Sequence, residues 1–191
     1  MKREVPPQQA HRLLATRPVC LVTTMSQGQV NVMTLAWHCP VSLDPPLLAM
    51  AVHPSTLTHE LLRQREECVL NIPGRPLLEA VLTCGSITGR DEDKVSRLGL
   101  ELEAGQALDA PWVVACLAHL ECVLVDRIQP GDHTIYIMQI VSAWAEEEAF
   151  GQTWIAPPAA DELAPLLHLG GAAFATLGSL SSQTNRDAEH E

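Results

Sequence analysis

The sequence predicts a mainly β fold, a barrel carrying a few short helices. Three features lead there: several short apolar runs of β character, Pro-, Gly- and Asp-containing breaks between them, and only three stretches with helical spacing. Strands and helices do not alternate as they do in a βαβ protein. The sequence contains no G-x-G-x-x-G, no G-x-x-x-x-G-K-S/T and no G-x-S-x-G. A Rossmann dehydrogenase, a P-loop enzyme and an α/β-hydrolase are therefore disfavoured.

Val19 to Met25 and Val30 to Trp37 read as strands joined by Ser26-Gln27-Gly28-Gln29, a hairpin turn. Asp44-Pro45-Pro46 breaks the chain before a third run, Leu47 to Val52. After Pro54 the period changes, and Leu57, Leu61 and Leu62 fall on one helical face. Cys68 to Ile72 is a strand stopped by Pro73-Gly74. Leu77 to Leu82 and Asp91 to Leu98 read as short helices around the flexible, glycine-containing stretch Cys84 to Gly89. Trp112 to Val125 and Thr134 to Trp144 are the longest β runs, separated by Gln129-Pro130-Gly131-Asp132, and Phe150 to Ile155 adds a short one.

With 191 residues, and about 150 per domain, one domain is expected over residues 1–180, followed by a polar, mobile tail over 181–191. Lys plus Arg is 12 against 23 Asp plus Glu, a net charge of −11. That field argues against nucleic acid and anionic membranes as partners. No apolar run reaches membrane-spanning length and no signal peptide is evident, so a cytoplasmic protein is expected. The six cysteines show no C-x-x-C pair and no zinc spacing. Most lie in apolar runs and read as small buried hydrophobes, and no metal is expected.

Three segments carry candidate chemistry. In His53-Pro54-Ser55-Thr56-Leu57-Thr58-His59 a strand passes into a helix, and Ser55 or Thr56 is a natural N-cap. The free N–H groups of such a helix start favour an anion, with Thr56 and Thr58 adding hydroxyls; plain capping is the competing reading. Cys84-Gly85-Ser86-Ile87-Thr88-Gly89-Arg90 with Lys94 sets two of the few cations beside small hydroxyls, either for a phosphate or as a solvated charge run. Gly131-Asp132-His133 places a histidine where a turn enters a strand, as a proton donor or as a structural residue.

Taken in order, Asn31-Val32-Met33-Thr34-Leu35-Ala36-Trp37, Asp44-Pro45-Pro46-Leu47, His53-Pro54-Ser55, Cys68-Val69-Leu70-Asn71, Gly85-Ser86-Ile87-Thr88-Gly89-Arg90-Asp91, Leu120-Glu121-Cys122 and Gly131-Asp132-His133 resemble the flavin reductase-like FMN-binding split-barrel proteins. Pro165-Leu166-Leu167-His168-Leu169-Gly170-Gly171 looks like the family's tail segment. The resemblance implies a homodimer of split β-barrels with FMN near the interface. It implies that Thr34, Leu35, Ala36 and Trp37 line the flavin ring, and that Ser55, Thr56, Thr58 and His59 surround the ribityl and phosphate end. Cys84, Gly85, Ser86, Arg90 and Lys94 would close the pocket, and His133 would stand near the ring as the catalytic residue. His53, where many relatives carry Arg, and His38-Cys39 after Trp37 depart from the pattern. The activity implied is hydride transfer from NAD(P)H to flavin. The alternatives are a flavoredoxin-type electron carrier reduced by a partner protein, a flavin-free interaction or storage domain, and pyridoxamine-phosphate oxidation.

Overall fold

A computed structural model describes residues 2 and 4–178, so the tail expected over 181–191 lies outside the described residues. A 3-10 helix, Pro7–Leu14, leads into β1 (Arg17–Pro18), β2 (Cys20–Ser26), β3 (Gln29–Leu35), β4 (His38–Ser42) and β5 (Leu47–Val52). After α1 (Leu57–Arg65) come β6 (Glu67–Ile72), α2 (Leu78–Ser86) and α3 (Lys94–Leu98). The chain finishes through β7 (Leu102–Glu103), β8 (Trp112–Val113), β9 (Ala118–Ile128), β10 (Thr134–Ala145), β11 (Leu167–Gly170) and β12 (Ala173–Ala175). Seven strands make one antiparallel sheet in the order β3-β2-β6-β9-β10-β5-β4, and β1-β11-β12 form a second. The mainly β class with short helices is what the chain adopts.

The unbroken apolar run at the start of β2 has a packing cause, because both faces of that strand are covered. Cys20 and Val22 enter the barrel interior with Met50, Leu62, Tyr136 and Met138. Val19 and Leu21 face a second cluster with Val32, Val81, Cys84 and Leu166. Alternate side chains of a strand point to opposite faces, so two cores demand apolar residues at every position. The turn from β2 to β3 places Gln27 at φ 51° and Gly28 at φ 79°. Two successive left-handed residues match the twist of a two-residue hairpin, which favours glycine at position 28. Five of the six cysteines are buried, as small hydrophobes are.

Four expectations are corrected. The strand expected to reach Trp37 stops at Leu35, because the chain must turn there to pair β4 with β5; only the Trp37 carbonyl stays bonded, to Ala51 N at 2.9 Å. The run from Trp112 is two strands, split where Cys116 N bonds back to Val113 O at 2.9 Å. Between Phe150 and Ile155 only an isolated bridge forms, Phe150 with Trp154. Cys84, Gly85 and Ser86 are not flexible loop but the last turn of α2, and the next helix starts later, at Lys94, capped by Asp93.

One polar knot holds the β8 region to the barrel. Glu121 is fully buried, and its carboxylate accepts from Gln106 N, Ala107 N and Leu108 N at 2.7–2.9 Å and from Trp112 Nε1 at 3.2 Å. Beside it His119 stacks on Trp112 at 4.4 Å and donates from Nδ1 to Asn71 Oδ1 at 2.8 Å. Glu121→Ala strands four donors, and the variant is expected to lose about 3 kcal/mol or more of stability in urea unfolding. Burial holds the His119 pKa down at about 4 from 6.5, the nearby Glu121 only partly opposing it. The unfolded chain therefore takes up the proton first, and stability is expected to fall as pH drops from 6.5 to about 4. His119→Gln should flatten that part of the urea-midpoint profile against pH.

Candidate functional site

Strand β3 anchors two helices through polar side chains on its two faces. Asn31 Nδ2 donates to Thr58 Oγ1 at 2.8 Å, which sets the first turn of α1 against the strand. Thr34 Oγ1 donates to the Val81 carbonyl, which sets α2. The bare Gly85 lets the end of α2 close on Thr34, whose Cβ would stand 3.3 Å from any Cβ added there. At α1 the cap is Thr56, whose Oγ1 accepts from His59 N at 3.2 Å. The first amides of that helix have no partner within it.

Between these elements lies a cleft of about 290 Å³. It gathers Thr34, Ser55, Thr56, Thr58, Cys84, Gly85, Ser86 and Lys94, eight of the residues singled out in the sequence, together with Asn31 and Thr88. Thr34, Gly85 and Ser86 also line a second hollow, of about 340 Å³, which reaches Ala36, His168 and Gly171. The last three line a third, of about 320 Å³, against Trp37. The three run into one another along β3, so the hydroxyl-rich cleft and the tryptophan share a groove.

The remaining candidates stand apart from that cleft. Leu35 is only 4% exposed and packs inside the barrel. His59 turns edge-on to Tyr136, with both ring nitrogens buried and unpartnered among the described residues. Burial first, then Arg63, Arg127, His53 and Arg90, push its pKa below the ordinary range. Arg90 bonds Glu60 at 2.7 Å, which joins the two candidate segments but commits the guanidinium to a carboxylate. His133 sits at the Trp37 end. Its ring centroid is 4.8 Å from that of Trp37 and 5.2 Å from that of His53, and its Nδ1 bonds Asp132 Oδ1 at 2.8 Å. That bond is the first cause holding the Asp132 carboxyl below its usual range.

Lys94, expected either to face a phosphate or to belong to a solvated charge run, lines the cleft from a buried position. It is 4% exposed, and its Nζ donates to the Cys84 and Ile87 carbonyls at 3.3 Å each. It therefore closes the C-terminal end of α2, whose last carbonyls lack helical partners. Burial lowers its pKa, and burial likewise raises that of the Cys84 thiol beneath it, with the lysine opposing.

Sequence reasoning passed over Asn31 and His11. Asn31 Oδ1 is buried with no partner among the described residues, at the cleft wall where a Cβ on Gly89 would strike it. An asparagine between Val30 and Val32 in a strand was the available signal, since strands disfavour that residue. His11 meets the Trp37 ring edge at 5.6 Å, and no local pattern announces a contact across 26 residues.

Fold and groove define a class: an antiparallel barrel with an elongated ligand groove between one strand and two helix ends. The chain belongs to the flavin reductase like domain family, whose model matches residues 12–176. The YddH protein of Escherichia coli K12 is 33% identical over 185 residues, 93% of this chain and 97% of that one. An Archaeoglobus fulgidus protein is 36% identical over 111 residues, 58% of this chain, and that stretch spans 63% of the relative's length. An NADH-dependent FAD reductase of Streptomyces globisporus is 25% identical over 133 residues, 66% of this chain and 70% of that one. Among solved structures, an FMN-binding domain of a flavin reductases-like enzyme from Shewanella baltica OS155 is 29% identical with a TM-score of 0.81, over 94% of this chain and 96% of that one. Flavoredoxin of Desulfovibrio vulgaris Miyazaki F also reaches 0.81, at 22% identity and over 98% and 99% of the two chains, a likeness of fold.

If Lys94 ties down the end of α2, Lys94→Met should speed hydrogen exchange of the Ile87 amide, bonded to Thr83 O at 3.1 Å, by about tenfold or more. An unchanged rate would mean that the helix ends there without it.

Proposed function

We propose that the groove holds FMN and that the chain is an NAD(P)H:flavin oxidoreductase. The observation that carries this is the meeting of the 55–58 and 84–88 segments across Thr34, in a groove that continues to Trp37 and His133. Ser55, Thr56, Thr58, Ser86 and the open amides of α1 would hold the phosphate and ribityl oxygens, where the helix dipole favours an anion. The orphaned Asn31 Oδ1 offers an acceptor for a ligand hydroxyl, so the cleft fits a polyol phosphate. Thr34, Ala36 and Trp37 would border the ring. Lys94, Cys84 and Gly85 shape the wall, and Arg90 acts through Glu60. Bound there, FMN would supply the redox chemistry that side chains lack, while the protein supplies position and electrostatics.

His133 is proposed as the catalytic residue. With Nδ1 bonded to Asp132, its Nε2 is the atom available to give or take a proton beside the ring. The NADH-dependent reductase among the relatives supports a nicotinamide donor. The homodimer implied by the resemblance is part of the proposal, and the exposed Val41 and Leu43 at the β4 edge favour it.

The test is a visible spectrum of the purified protein after adding FMN, then mixing with NADH or NADPH. Flavin bands together with loss of the nicotinamide absorbance are expected, and His133→Ala should slow that loss about a hundredfold with FMN still bound. A bound flavin that NADH and NADPH leave oxidised would move the reading to the electron carrier. A protein that takes up no flavin at micromolar concentrations would remove it.

A further inference from the structure

The third hollow of the groove is lined by charge opposite in sign to that of the chain as a whole. In a chain of net charge −11 it is lined by Arg12, Arg17, His11 and His168, and by no carboxylate. Trp37 and Ala36 make its inner wall. Four arginines elsewhere are matched, Arg65 to Asp109 and Glu67, Arg75 to Asp161, Arg90 to Glu60 and Arg97 to Glu92, whereas Arg63 and Arg127 have no carboxylate partner among the described residues. Arg12 has no such partner among the described residues. A concave site with one sign of charge concentrates ions of the other sign, the more so when the surrounding surface repels them.

The two guanidinium groups are held in complementary ways. Arg17 spans two carbonyls, donating from Nη1 to His38 O at 3.0 Å and from Nη2 to Leu14 O at 2.8 Å. Those bonds fix the group in the wall and use only part of its five N–H donors. Arg12 lies with its stem over Gly170, where an added Cβ would sit 3.8–3.9 Å from Arg12 Cβ, Cγ and Cδ. Gly170 has φ +111°, a conformation that side chains rarely adopt, and it leaves the stem a flat bed. One cation is thus held by two carbonyls and the other has no bonded partner among the described residues, both beside an indole that is 45% exposed.

We infer that this hollow is an anion subsite, which takes the phosphate or carboxylate arm of a molecule whose planar ring lies toward Trp37. The inference rests on the flavin reading only for what that ring does. Two sources share the chemistry: the pyrophosphate of a nicotinamide dinucleotide, or the carboxylate of an aromatic electron acceptor.

Calorimetric titration of the FMN-loaded protein with inorganic pyrophosphate, and separately with benzoate, tests it without turnover. Binding that weakens with added salt is expected, about tenfold or more weaker in Arg12→Ala and partly restored in Arg12→Lys. Tighter binding of pyrophosphate assigns the arm to the dinucleotide, and tighter binding of benzoate assigns it to the acceptor. Arg12→Ala should also lower the preference for NADH over the uncharged donor N-benzyl-dihydronicotinamide, read as the ratio of their KM values. Equal anion affinity in wild type and Arg12→Ala overturns the subsite, even where FMN binds and NADH reduces it. If FMN fails to bind, the same titration on the flavin-free protein decides the subsite by the same arginine dependence, while the flavin reading falls.

Discussion

Two hydrogen bonds from one strand determine where the groove is. Asn31 and Thr34 reach off opposite faces of β3, one to Thr58 at the start of α1 and the other to the Val81 carbonyl within α2, and so position both flanking helices. Polar groups buried this way cost free energy unless they are paired, so the helices are held where the pairing is complete. One acceptor stays unpaired among the described residues, the Oδ1 of the same Asn31, buried against Gly89 in the cleft wall. The strand that organises the walls thus also carries the unpaired acceptor that the proposed flavin reading uses.

Charge is distributed to the same end. The excess of acid is answered at the surface by separate ion pairs, each worth little in water. Lys94 is withdrawn from solvent to close α2, and Arg90 links the two walls through Glu60. What positive charge remains near the groove stands at its far end, around Trp37. The cleft itself relies on hydroxyls and helix amides, which suit a phosphate without a dedicated arginine.

Much of this was legible before any coordinates. The hairpin at Gln27-Gly28, the covered strand from Cys20 and the cap at Thr56 each follow from local rules about turns, alternation and capping. The errors fell where a distant contact overrules such a rule. Gly85 reads as a loop residue until Thr34 is seen packed against it, and no local signal announces the bonds of Lys94 to the Cys84 and Ile87 carbonyls. Trp37 continues an apolar run, yet pairing of β4 with β5 pulls the chain away from that strand.

Composition and period alone determined a mainly β chain with three short helices, buried cysteines and two hydroxyl-rich segments, because those properties depend on near neighbours along the chain. Tertiary structure alone decided which groups face each other. His11, Trp37, His133 and His53 follow one another in ring contact, and Arg12 shares a hollow with Arg17 and His168, although these residues come from five separate parts of the sequence. Such meetings are set by strand register and by two buried side-chain bonds, which a one-dimensional pattern does not encode.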